Sequence, residues 1–196
     1  MSRLILASAS PRRAELLRIA GVAFESHPVL IDESPRPGED GIALAMRLAQ
    51  DKAAACLQKN PGAIVLAADT VVLCRGKPRG KPRNREDYVA MMKEFSGTSH
   101  DVVSGVCTMS EDRQKVFHCV TTVVFGDLSP AWIEAYWASG EPKDKAGGYA
   151  LQGQAGSQVR EIRGSYTNVV GLPLNETCSV LSEFGILPNL EKMPPR

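Results

Sequence analysis

The chain has 196 residues, with 23 Lys and Arg against 22 Asp and Glu, so its formal charge is +1. Apolar types make up 43% and charged types 23%, the values of an ordinary globular chain, which exclude a disordered or collagen-like one. The near-neutral balance removes any bulk attraction to a nucleic acid polymer or an anionic membrane, and no apolar run reaches the ~20 residues of a bilayer span.

Residues 1–10 put Arg3 before the short run Leu4-Ile5-Leu6-Ala7 and pass at once into Pro11-Arg12-Arg13. That apolar stretch is too short for a signal peptide. The five cysteines are scattered, odd in number and form no C-x-x-C pair, which argues against a disulfide framework or a structural zinc. Both features predict a cytoplasmic chain with free thiols.

Residues 3–7 read as a short buried strand. Ser10 reads as a helix N-cap and Pro11 as the first helical residue, with Gly21 as the stop. Residues 22–31 read as extended, and residues 32–40, with Pro35, Pro37 and Gly38, as a loop. The spacing predicts a helix over Gly41–Lys59, with Ile42, Ala45, Met46, Ala49, Ala53 and Cys56 on one face. Residues 63–74 are almost wholly apolar, which predicts a central strand covered on both faces. Residues 75–85 form a basic loop, after which Asn84 caps a helix that buries Tyr88, Met91, Met92 and Phe95.

The pattern then turns to β. Residues 100–110 and 115–125, joined by a short polar link, predict an antiparallel hairpin. Ser129-Pro130 opens a helix with Ile133, Tyr136 and Trp137 on one side and Gly140 as its stop. A stretch rich in Gly, Lys and Gln follows, then a predicted strand, turn and strand over residues 159–170, and a last helix from Leu172-Pro173 to about Gly185. The whole predicts an α/β fold: a mixed twisted sheet with flanking helices in two lobes around a cleft. Residues 1–187 are expected to form one domain, and residues 188–196 a loosely held tail.

Four places invite chemistry. In Ser8-Ala9-Ser10-Pro11-Arg12-Arg13 a strand end meets a helix start, where unpaired N–H groups and the helix dipole favour an anion. Two arginines in a first turn oppose that dipole, so either an anion sits there or both are simply solvated. Asp69 lies inside the apolar strand, and an unpartnered buried carboxylate costs several kcal/mol. A metal, a cation, a polar cleft or a local bulge would each relieve it. Lys52 falls at the edge of the apolar stripe of its helix, where a snorkelling lysine explains it; Glu33 and Lys81 read by themselves as solvated loop charges. In the stretch from Lys145 to Gly156, glycines permit close approach of a ligand, and the Gln152 amide offers both a donor and an acceptor to a base edge. A flexible surface loop is the plain alternative. No Walker pattern and no G-x-G-x-x-G after a strand occurs, and His27, His100 and His118 show no metal-ligand spacing.

Taken in register, these blocks resemble a known family. Residues 6–17, Leu6-Ala7-Ser8-Ala9-Ser10-Pro11-Arg12-Arg13-Ala14-Glu15-Leu16-Leu17, resemble the opening signature of the Maf family of nucleoside triphosphate pyrophosphatases. Ala68-Asp69-Thr70-Val71-Val72 is similar to its acidic strand, and Lys81-Pro82-Arg83 to its Lys-Pro step. Ser96-Gly97, His100 and Ser104-Gly105-Val106 follow, then Lys145-Ala146-Gly147, Tyr149, Gln152-Gly153, Gly164-Ser165-Tyr166 and Asn168-Val169-Val170-Gly171-Leu172-Pro173-Leu174. The resemblance implies a fold like that of the inosine triphosphate pyrophosphatases. It also implies hydrolysis of a nucleoside triphosphate to the monophosphate and pyrophosphate, a house-cleaning role, with a divalent metal.

In that family the central acid, Asp69 here, is the proposed catalytic base, with base, metal ligand or both left open by the residue chemistry, and Arg12, Thr70 and Gln152 stand at the positions that separate substrate subgroups. This combination is similar to the subgroup acting on dTTP and UTP; a sister subgroup acts on 7-methyl-GTP and lacks the pattern of Tyr149, Gln152 and Gly153. The departures are Asn84 where Asp is frequent, Ser104 where Thr is frequent and Gly148 where Ala is frequent. Resemblance and residue chemistry then suggest that Ser8, Ser10, Arg13, Lys52 and Lys81 hold phosphates, and that Glu33 and Asp69 bind Mg²⁺ or Mn²⁺ through oxygen. A rival expectation is a nucleotide-binding regulator of septum formation without turnover. A homodimer is expected from the general prevalence of two-fold assemblies.

Overall fold

The computed structural model describes residues 3–189. Among them the strands are β1 (Leu4–Leu6), β2 (Glu25–Ser26), β3 (Ile64–Cys74), β4 (Lys77–Arg79), β5 (Ser99–Met109), β6 (Gln114–Phe125) and β7 (Val159–Arg163). The helices are α1 (Pro11–Ile19), α2 (Gly41–Lys59), α3 (Arg85–Phe95), α4 (Pro130–Ala138), α5 (Tyr166–Val170) and α6 (Leu174–Glu183). The strands form one sheet in the order β2-β1-β3-β5-β6-β7, with β4 attached to β3. β1 runs parallel to β2 and β3, and the other pairings are antiparallel. The expected mixed sheet with flanking helices is therefore what the chain builds.

β3 is apolar apart from Asp69 and Thr70 because both its faces are covered. Ile64, Leu66 and Ala68 pack with α1 and α6 on one face, while Val65, Ala67 and Val71 pack with α2 on the other. Farther along, Val72 and Cys74 enter a separate core with α3 and α4, built on Tyr88, Phe95, Phe125 and Tyr136. Each fully buried Leu or Phe in these cores contributes about 2 kcal/mol. The caps are local: side chains of Asp40, Asn84 and Ser129 accept the N–H groups of Ala43, Asp87 and Trp132. Each such cap is worth about 1 kcal/mol. All five cysteines are free, and burial pushes every one of their thiols above its ordinary pKa.

Several expectations need correction. The buried stripe of α2 runs through Leu44 and Leu48, with Ile42 and Met46 only partly covered, because Ala45 faces the sheet at closest approach. The basic loop over residues 75–85 contains β4, which folds back on β3. Within residues 22–31 only β2 is a strand. The second strand expected near residue 170 is α5, started by Ser165, whose hydroxyl accepts the Asn168 N–H and which outweighs the β preference of Val169 and Val170. Ser10 does not cap α1 with its side chain; its own N–H donates instead to Ser8 Oγ at 3.1 Å. The tail expected over residues 188–196 lies outside the described residues beyond Asn189, whose N–H donates to the Gly21 carbonyl. Among the described residues no helix is long and apolar enough to cross a membrane.

α2 lies directly on β5. A Cβ at Gly105 would sit 2.3 Å from the Ala45 carbonyl oxygen and 2.6 Å from the Met46 nitrogen, both backbone atoms that cannot turn aside. Gly105→Ala is expected to destabilise the protein by about 3 kcal/mol, the upper end of ordinary overpacking, read as a lowered urea midpoint.

Candidate active site

The site begins as a gap in the sheet. β1 pairs with β3 only as far as Leu6 opposite Leu66, and β4 joins β3 only at Val72 opposite Arg79. Between them, residues 67–71 present an edge with no strand neighbour among the described residues. A cleft of about 840 Å³ opens along this edge. It is lined by the start of α1, by Lys52 of α2, by Asp69 to Val72 of β3, and by the turns carrying Lys81, Lys145 and Gln152.

Strand alternation sends Asp69 and Thr70 to opposite faces. Asp69 points toward α2, where Lys52 Nζ lies 2.6 Å from its Oδ1 and 2.6 Å from Glu33 Oε1. The side chains of Lys52 and Asp69 are only 12% and 14% exposed, so this ammonium is largely desolvated and held by two carboxylates. Burial pushes the Glu33 carboxyl up, but the hydrogen bond and charge of Lys52 outweigh it and hold Glu33 below the usual carboxylate range. Lys52 is thus an ion-paired side chain and not a snorkelling one.

Thr70 points toward α1. Arg13 donates from Nε to the Gly171 carbonyl at 2.8 Å, from Nη1 to Ser8 Oγ at 3.2 Å and from Nη2 to Thr70 Oγ1 at 3.0 Å. Thr70 Oγ1 lies 2.9 Å from Ser104 Oγ, which donates to the Asn168 carbonyl at 3.3 Å. The Thr70 proton is therefore committed to Ser104, and its oxygen keeps one acceptor position. Burial pushes the Arg13 pKa down, against the opposing pull of the Asp69 charge, yet a guanidinium stays charged. Three of its five donors are used, and two remain.

The opposite rim carries Lys81, whose charge is felt at Glu33, and Lys145, which pairs with Asp144. The Gly147 N–H donates to the Gly80 carbonyl at 2.9 Å, which ties the two basic turns together. Tyr149 lines the cleft, and its hydroxyl lies 2.8 Å from Nε2 of buried His100 behind it. The Arg12 side chain lines the cleft and makes no hydrogen bond to a described residue, and the same holds for the exposed Gln152 side chain.

The structure therefore brings together Arg12, Arg13, Ser10, Glu33, Lys52, Asp69, Thr70, Lys81 and Gln152 around one cleft. Ser8 stands behind that lining, where its hydroxyl holds Arg13 and the Ser10 N–H. Lys145, at the head of the glycine-rich stretch that the sequence offers as a ligand loop, joins the cleft lining. Ser104, Asn168, His100 and Tyr149 stand in segments that the family resemblance covers, but their mutual contacts join distant segments and no spacing predicts them.

Glu33 and Asp69 supply hard oxygen ligands on either side of one ammonium. Two carboxylates that leave room for water and phosphate oxygens fit the way Mg²⁺ is usually held. Among the described residues no group of three or more acidic, His or Cys side chains offers a fuller cage.

The fold and the site define an α/β protein whose cleft offers a helix N-terminus and converging cations to a compact anion, opposite a carboxylate pair. The fold is similar to the HAM1 protein from Coxiella burnetii, with TM-score 0.53 and 16% identity over 93% of this chain and 100% of that one. It is equally similar to the Staphylococcus aureus Ham1 protein, with TM-score 0.53 and 13% identity over the same shares. Residues 3–184 match the family described as Maf-like protein, and the chain belongs to the Maf family. A Geobacter sp. (strain M21) relative named dTTP/UTP pyrophosphatase is 47% identical over 96% of this chain and 98% of its own length. One of the same name from Chromobacterium violaceum is 46% identical over 94% and 96%.

His100 is 3% exposed, and burial pushes its pKa down to about 4. Between the ordinary value near 6.5 and that value, the unfolded chain binds a proton which the folded chain refuses. Stability from this group is therefore complete above pH 6.5 and declines as pH falls toward 4, by about 3 kcal/mol. Unfolding free energies measured across that range should show this loss in the wild type and lack it in His100→Phe.

Proposed function

We propose that this chain hydrolyses dTTP and UTP to the monophosphate and pyrophosphate. The observation that carries the reading is the Lys52-linked pair of Glu33 and Asp69, facing Arg12, Arg13 and Lys81 in one cleft. The names of the relatives support the substrate class. A triphosphate packs several negative charges into a small volume, which suits the free donors of Arg13, the first-turn N–H groups of α1, Arg12, Ser10, Lys81 and Lys145. Ser8 contributes by fixing Arg13.

Asp69 takes the role of general base. Lys52 holds its Oδ1 and leaves the other oxygen to orient a water and accept its proton. The water oxygen forms the new bond to the α-phosphorus, the α–β anhydride bond breaks, and pyrophosphate leaves with the electron pair. Cationic side chains preset around the phosphates stabilise the charge that gathers on the leaving group. A Mg²⁺ or Mn²⁺ held by Glu33 and Asp69, when bound, would add Lewis-acid neutralisation of the phosphate oxygens. Gln152 reads the pyrimidine edge. Thr70 contributes its remaining acceptor position and its methyl group, and Arg12 a mobile charge. The reading includes one domain over residues 1–187, a cytoplasmic location in keeping with free thiols, and a homodimer on general grounds.

Asp69→Asn is expected to keep the fold and lose at least about 100-fold in turnover, the lower range for a removed general base. Pyrophosphate release from purified protein with Mg²⁺ and a nucleotide panel measures it; near-normal release from a folded variant overturns the mechanism. Release from no nucleotide by the wild type would favour a binding regulator instead, and a preference for 7-methyl-GTP the sister activity. In the same assay Gln152→Ala should lower kcat/KM for UTP and dTTP about tenfold more than for GTP, the range of one lost polar contact.

A further inference from the structure

Gln152 makes no hydrogen bond to the described residues, yet the backbone on either side of it is held from outside the cleft. Tyr136 is 1% exposed and donates its hydroxyl proton to Glu141 Oε1 at 2.7 Å. The same hydroxyl oxygen accepts the Ala150 N–H at 3.0 Å, two residues before Gln152. Glu141 Oε2 accepts the Gln154 N–H at 3.4 Å, two residues after it. Between these anchors stands Gly153, where a Cβ would lie 1.9 Å from Glu141 Oε1 and 2.6 Å from Oε2. The φ of Gly153 is −103°, open to any residue, so a Cβ here would displace the carboxylate and leave the backbone unstrained. Neither Tyr136 nor Glu141 lines the cleft.

We propose that the Tyr136–Glu141 pair is a specificity-determining positioning device, which fixes residues 150–154 so that the Gln152 amide meets the base edge. Glu141 is a positioning residue that never touches substrate. The inference rests on the reading that Gln152 recognises the pyrimidine. An amide discriminates only if donor and acceptor sit within about half an ångström of their partners, and the long side chain of Gln152 cannot supply that placement unaided. The pair supplies it through the two flanking N–H groups and through the volume it fills at Gly153.

The test compares kcat/KM for UTP, dTTP and GTP in Glu141→Ala, Glu141→Gln, Gly153→Ala, Gln152→Ala and the double variant Glu141→Ala/Gln152→Ala. Glu141→Ala and Gly153→Ala are expected to lower the UTP-to-GTP ratio about tenfold, short of the ~100-fold that an ångström of misplacement can cost. Glu141→Gln should recover part of the ratio, because its amide oxygen still accepts one of the two hydrogen bonds. The double variant should discriminate no worse than Gln152→Ala. Gly153→Ala keeps every polar group and only pushes the carboxylate aside, so it carries the test if Glu141→Ala fails to fold. If Gln152→Ala shifts the ratio and the folded Glu141 and Gly153 variants do not, the positioning role is wrong and base recognition stands. Equal losses on all three substrates in those variants overturn it as well. If Gln152→Ala leaves the ratio unchanged, base recognition fails and the positioning role falls with it.

Discussion

The interrupted edge of β3 is the constraint on which the site depends. A fully paired strand would present side chains to two separate faces and no backbone edge. Here β1 ends early and β4 joins late, so the open stretch gives one ligand access to both faces at once. Neighbouring residues exploit this. Asp69 reaches one way to the ammonium of α2, and Thr70 reaches the other way to the guanidinium of α1. Strand alternation, which ordinarily separates adjacent side chains, here delivers an acid and a cation-holding hydroxyl to the same cavity.

The charges around that cavity are paired and held in place. Lys52 is held between two carboxylates with little water around it, while Arg13 is spread over three oxygens from three segments. Each cation is thereby immobilised before a ligand arrives, and preset charge is worth more than charge that must be gathered. A formal charge of +1 for the whole chain is compatible with this, since the cations are concentrated in one place and balanced elsewhere by surface pairs such as Lys115–Glu183 and Arg163–Glu161.

Periodic features were legible in the sequence and contingent ones were not. Gly41–Lys59, the hairpin and the buried face of α3 follow from repeating apolar patterns, and the structure places them as read. The short helix α5 was read as strand because Val169 and Val170 favour β structure, whereas a capping serine and packing onto β5 and β6 decide the matter. Asp69 stood out because it interrupts an apolar run. Lys52 did not, since its partners lie 17 and 19 residues away on other elements and no local pattern marks them. Ser104, Asn168 and Glu141 act through tertiary contacts alone, and such contacts leave no spacing to read.

The buried thiols carry a consequence for the conditions under which the protein can work. Peroxide attacks the thiolate and not the thiol, and at neutral pH a raised pKa leaves very little thiolate. All five cysteines are raised in this way, with Cys107, under α2, pushed up to about 12. The five thiols are therefore poor targets for peroxide, and the packing around them persists without a reducing partner to restore it.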